Sequence, residues 1–138
     1  MQSVERFDFK GVPSNFGTEI LMPLLPVRLI ADQHELEVLG LLDSGSAINV
    51  LPFSLGLALG GVWKREKAKL RLTGNLAASP AMPFVVHAQV GRLPAVELVF
   101  AWTQNDSVQP IFGQINFFDE FDVCLHRSRK EIEIRTKL

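Results

Sequence analysis

One stretch sets the terms for the whole chain: Leu41-Leu42-Asp43-Ser44-Gly45-Ser46-Ala47-Ile48-Asn49-Val50-Leu51-Pro52. An acid, a hydroxyl and a glycine stand there between two apolar runs. All three are poor strand formers, so the chain is expected to turn at Asp43-Ser44-Gly45. The apolar residues on both sides should bury the base of that turn. A carboxylate held at the bottom of a half-buried loop is costly unless hydrogen-bond donors or a partner compensate it. Its placement therefore points to a use.

The rest of the pattern is that of strands. Thr18 to Ile30 is strand-like but contains Pro23 and Pro26, which suits an edge or bulged strand. Ala31 to His34 reads as a turn. Glu35 to Leu42 begins by alternating and ends fully apolar, as a strand does when it runs from solvent into a core. Ala47 to Leu51 is a second buried strand, and Pro52 to Leu59 a short helix or turn closed by Gly60-Gly61. Val62 to Leu72, Phe84 to Val90, Ala95 to Trp102, Phe121 to Leu125 and Glu131 to Arg135 complete the set of strands. Gln114 to Phe121 allows one or two helical turns. Residues 1–17 read as an N-terminal arm or loop, and 18–138 as one domain. Short strands separated by regular turn signals predict an all-β barrel or sandwich.

Composition narrows the partners. The chain has 138 residues, enough for one domain with a sizeable core. Its 14 basic and 15 acidic residues give a net charge of -1, with no basic stripe, which argues against nucleic acid and against a membrane surface. The N-terminus lacks a signal-peptide pattern, and the apolar run from Ile20 to Leu29 is broken by Pro23, Pro26 and Arg28. A single cysteine, Cys124, cannot form an intrachain disulfide, which fits a reducing compartment. The expectation is a cytoplasmic protein.

Few residues offer chemistry. His34, His87 and His126 show no metal-ligand spacing to one another or to Cys124. The glycines form no phosphate-binding motif. Trp63 and Trp102 read as core or interface residues. Asp43 is left, and an Asp-Ser-Gly turn alone would be an ordinary turn. Its context says more. Downstream lies a long small-residue connection, Thr73 to Pro83, between two strands. An apolar-apolar-Gly run follows at Ile111-Phe112-Gly113, leading into the short helix.

That order resembles the retropepsin-like aspartic proteases. Their pattern is apolar-apolar-Asp-Thr/Ser-Gly-Ala/Ser, a flap hairpin, then apolar-apolar-Gly and a helix. Leu41 to Ser46 and Ile111 to Gln114 match its two ends, and the resemblance covers roughly residues 18–136. It implies an all-β, retropepsin-like closed β-barrel with a flap hairpin and one or two short helices. It implies an aspartic endopeptidase that uses no metal and no other cofactor. Two carboxylates about 3 Å apart cannot both ionise, so they share one proton and supply both the base and the acid of peptide hydrolysis. This chain holds one such motif, so the second aspartate must come from a second copy in a C2 homodimer.

By the same resemblance Asp43, Ser44 and Gly45 form the catalytic set. Ser44 would bond across the axis, and Gly45 would offer backbone N–H groups to the carboxylate. Ser46, Thr73, Gly74, Asn75, Leu76, Met82 and Ile111 would contact a peptide substrate, with the flap near Leu72 to Phe84. Ser46 replaces the usual alanine, and its hydroxyl is expected to donate to Asp43 and shift the optimum toward acid. Ile132 and Ile134 are expected in terminal strands that interleave in the dimer sheet. Two features depart from the pattern: the flap tip is not glycine-rich, and Gln114 stands where relatives often carry arginine. They leave open a dimerisation or peptide-binding module of the same fold without turnover. An unrelated ligand-binding barrel is the third reading.

Overall fold

The computed structural model describes residues 3–72 and 79–137. Its elements are β1 (Val4–Asp8), β2 (Lys10–Pro13), β3 (Glu19–Met22), β4 (Leu24–Ala31), β5 (His34–Leu42), β6 (Asn49–Leu51), α1 (Phe53–Ala58), β7 (Leu70–Arg71), β8 (Pro80–Gln89), β9 (Val96–Thr103), β10 (Ile111–Phe112), α2 (Phe117–Glu120), β11 (Phe121–His126) and β12 (Glu131–Thr136). One sheet runs β4-β5-β10-β6-β9-β8-β7, and pairing of β4 with β8 closes its first six strands into a barrel. The expected all-β closed barrel with two short helices is what the chain forms. No helix among the described residues is long and apolar enough to cross a membrane.

The prolines fit where the ladder leaves room. The Leu42 N–H donates to the Pro23 carbonyl. In an antiparallel pair, bonded and non-bonded positions alternate, which turns the nitrogen of Pro26 away from β5. β8 meets β4 only from Arg28 to Ile30, so no donor is missed at Pro26. β4 is thus not the edge strand expected from its prolines. It closes the barrel, and Pro26, with Pro23 just ahead of the strand, falls outside the closing stretch.

Trp102 fills one end of the barrel interior with no exposed surface. Phe53 of α1 stacks on it at 5.5 Å, and Trp63 and Phe84 meet it edge-on. Its indole N–H donates to the Phe53 carbonyl at 3.1 Å. Gly56 lets α1 sit this close, because a Cβ there would collide with the indole. The core reading holds for Trp102, and Trp63 is partly buried against the same cluster.

Two segments differ from the sequence reading. Residues 62–72, expected as one strand, form a 3-10 turn at Arg65–Lys67 and then the two-residue β7. Glycine, proline and polar residues had suggested an arm at residues 1–17. Instead β2 pairs with β3, and β1 pairs with β12.

The resulting second sheet, β1-β12-β11, corrects the expectation of interleaved termini. β12 is paired on both sides within one chain, and Ile132 and Ile134 are fully buried. Interleaving them with a second copy would require this sheet to come apart. On its outer face Glu133 accepts from His126 and Arg135, with Arg6 beside it at 3.3 Å. Hydrogen bonding to His126 and then Arg135 holds its carboxyl below the ordinary value of 4.5, against the opposing effect of burial.

Two outcomes follow from these packings. Trp102→Ala should lower unfolding stability by about 3–5 kcal/mol, read from urea midpoints. The lowered Glu133 value means its charge contributes stability above the unfolded value, and that contribution disappears as pH falls through the folded one. Between about pH 6 and about pH 3, Glu133→Gln should therefore show a shallower fall in the urea midpoint than wild type.

Candidate active site

Asp43 follows directly on β5, where the barrel strand leaves its ladder. Its N–H donates to the Phe112 carbonyl at 3.0 Å, so β10 holds the start of the loop. The Ser46 N–H closes a tight turn onto the Asp43 carbonyl at 3.1 Å. The Gly45 N–H donates to Asp43 Oδ1 at 3.0 Å, as expected for this glycine. A backbone donor at that place fixes how the Asp43 carboxyl is oriented in the loop.

The loop is then stitched to the segment after β10. Gln114 N–H bonds the Ser46 carbonyl, Ile115 N–H bonds that of Ala47, and Asn49 N–H bonds that of Ile115, each within 2.9 Å. Gly113 makes this approach possible. A Cβ there would collide with the Ile48 carbonyl and lie 2.8 Å from the Ser46 oxygen. Gln114, which replaces an arginine of the resembled pattern, has a part of its own: its side-chain amide donates to the Ser44 carbonyl at 2.8 Å. Ser44 itself is exposed at the loop's outer turn.

Beneath the loop is a residue whose role the motif reading missed. Asn49 is fully buried. Its Oδ1 accepts from the Gly113 N–H at 2.8 Å, and its Nδ2 donates to the Val99 carbonyl and to Asn116 Oδ1. Asn116 in turn accepts from the Val99 N–H and donates to the Glu97 carbonyl. Two amides thereby tie β6, β9 and the Gly113 segment together. A polar residue inside the apolar run Ile48 to Leu51 was the available signal, since a buried amide must find partners.

Asp43 opens on a cleft of about 910 Å³. Its walls include Ile48, Val50, Leu72, Val108 and Ile111, with Ser46, Arg71 and Asn105 among the polar lining. Ser107 and Gln109 add to the polar side, so apolar walls and polar groups share the lining. Of the expected substrate contacts, Ser46 and Ile111 line it. Thr73, Gly74, Asn75 and Leu76 lie outside the described residues, although Leu70 and Arg71 pair with Ala81 and Pro80 at the base of that connection.

Two expectations need correction. Met82 is not in the cleft wall. Alternation along β8 turns Ala81 toward the cluster with Val50 and Leu72 and leaves Met82 in the main core. The Met82 sulfur there accepts from the Lys64 N–H. The Ser46 hydroxyl does not donate to Asp43. It donates to the Ile48 carbonyl at 2.8 Å, closing its own turn, so the acid shift expected from it loses its basis.

Asn49→Ala strands the Gly113 N–H and the Val99 carbonyl in a dry site. The variant should lose about 1–3 kcal/mol of stability by urea denaturation. Amide exchange at Gly113 should speed up with it.

No family model matches this sequence, and no curated protein matches it. Among solved structures, a retropepsin-like aspartic protease from Rickettsia conorii superposes with a TM-score of 0.61 at 13% identity. The match covers 99% of this chain and 94% of that one. With the Asp43 loop, β10 and the closed barrel in the places already described, the chain has the retropepsin-like fold.

Proposed function

We propose that this protein is an aspartic endopeptidase working as a C2 homodimer, with Asp43 of each copy forming the catalytic pair. The observation that carries the reading is Asp43 itself. It is a carboxylate on a backbone-stitched loop, facing a cleft of mixed polar and apolar lining, in a fold shared with an aspartic protease. Each chain contributes one such loop, so the pair requires two chains.

The chemistry follows from two carboxylates sharing a proton. The ionised one takes a proton from water as the water oxygen attacks the scissile carbonyl carbon. The protonated one gives its proton to the carbonyl oxygen. The tetrahedral intermediate collapses as its C–N bond breaks: the carboxyl that took the water proton gives it to the nitrogen, the other takes a proton back from a hydroxyl, and the two peptide halves leave. Gly45 holds the carboxylate's orientation, and Ser44 of each copy bonds across the axis. The substrate lies extended, offering main-chain groups to the cleft and to the hairpin of β7 and β8. Apolar side chains flanking the scissile bond suit Ile48, Val50, Leu72, Val108 and Ile111.

The test is a mixed peptide library at about pH 4 to about pH 7, with products read by mass spectrometry. Asp43→Asn should lower cleavage by about a hundred- to ten-thousand-fold while the protein stays folded. Cleavage by Asp43→Asn at the wild-type rate overturns the assignment. A wild-type dimer that cleaves nothing identifies a binding module on the same fold.

A further inference from the structure

The paired-aspartate reading leaves a structural question: by which surface do two copies meet, when β12 is already closed on both sides? Among the described residues no strand pairs with the outer edge of β11 or of β1. The β1 side is tied back to the barrel. Glu5 accepts from the Arg92 N–H at 2.6 Å, fastening it to the turn between β8 and β9. β11 begins at Phe121, a few residues beyond Gln114 and Ile115. Those two sit beside the Asp43 loop, and Ile115 is 53% exposed. The β1 edge lies two strand spacings farther along the sheet, about 10 Å.

The direction of the backbone groups on β11 can be worked out. The Thr136 N–H donates to the Ser3 carbonyl and the Phe9 N–H to the Lys130 carbonyl. Even-numbered residues of β12 therefore bond toward β1, and the odd-numbered Glu131, Glu133 and Arg135 bond toward β11. Their partners are His126, Cys124 and Asp122. Those three turn their peptide groups inward, so Phe121, Val123 and Leu125 turn theirs to the open edge.

We propose that two copies pair antiparallel along β11, with the twofold axis at Cys124, forming a continuous six-stranded sheet. This rests on the homodimer reading above and specifies its interface. In an antiparallel pair, inward-turned residues face inward-turned ones, so the axis must fall on a residue and not between two. An axis at Cys124 sets Val123 opposite Leu125 of the second copy, as a hydrogen-bonded pair. It covers Leu125, which is 45% exposed beside the fully buried Ile132. It also sets Asp122 opposite His126 of the second copy, twice over, so that an acid meets a base at both ends. An axis at Val123 would instead set Asp122 against Cys124, and one at Leu125 would set Cys124 against His126. Neither makes an acid–base pair from these residues.

The Cys124 axis has a chemical signature. Cys124 is exposed. At the axis it would face its own copy in a non-hydrogen-bonded pair with Cα atoms about 4.5 Å apart, inside the range a disulfide spans. Diamide takes two electrons and two protons from the two thiols as the S–S bond forms. Wild type above its dimer dissociation constant should give a reducible dimer within minutes, at a rate independent of protein concentration. Cys124→Ser should give none. Sedimentation should show Leu125→Arg raising the dimer dissociation constant tenfold or more. A sedimenting dimer that yields no disulfide and tolerates Leu125→Arg overturns the β11 interface and leaves the paired-aspartate reading standing. A monomer at every concentration overturns both.

Discussion

The amide of Asn49 is the point on which the site depends. It is fully buried, and it reaches β9, Asn116 and the Gly113 backbone at once. Gly113 then fixes where the Gln114 and Ile115 amides meet the loop, and so where Asp43 stands. Removing any of these contacts leaves a polar group in the core without water, a penalty larger than the net contribution of the bond itself. Among the described residues no buried side-chain polar atom lacks a partner, so the network is complete. A complete network specifies one geometry, because every alternative loses a bond.

The barrel provides the rigid frame for that network. β10 is only two residues long, yet it runs parallel to β5 and antiparallel to β6. It carries the Phe112 carbonyl to the Asp43 N–H, and Phe112 itself packs against Phe100 and Phe117 in the core. The same dipeptide thus anchors the loop through its backbone and the core through its side chain. At the other end Trp102 and α1 close the barrel. The cleft lies over a separate small cluster of Val50, Leu72, Ala81 and Ala101. Stability and binding surface are therefore carried by different sets of side chains.

Much of this was legible in the sequence, for physical reasons that differ from place to place. The alternation in Glu35 to Leu42 and Glu131 to Arg135 marked strands because one face of each meets the core. The turn at Asp43 was legible because Asp, Ser and Gly interrupt two apolar runs. What a single sequence hides is pairing between distant segments. Val4 to Asp8 looked like an arm because its ladder partner is more than 120 residues away. Residues 62–72 alternate in part, yet only Leu70 and Arg71 pair, because the 3-10 turn at Arg65–Lys67 takes the preceding chain off the ladder. The motif points the Ser46 hydroxyl at Asp43, but the Ile48 carbonyl two residues on takes its proton. The resemblance puts Met82 in the cleft, but the two-residue period of β8 sets it on the other face.

The β1–β12 pairing has a consequence for how the molecule forms. Val4 is opposite Arg135, so the sheet joins the two ends of the described chain. Among the described strands β1 is made before the others, and it has no ladder to join until β12 follows. The barrel strands can pair among themselves long before that. The Asp43 loop and its cleft are therefore assembled ahead of the sheet that we propose joins two copies. Completion of β12 therefore sets the earliest time at which the three-stranded sheet, and any pairing of copies through it, could form.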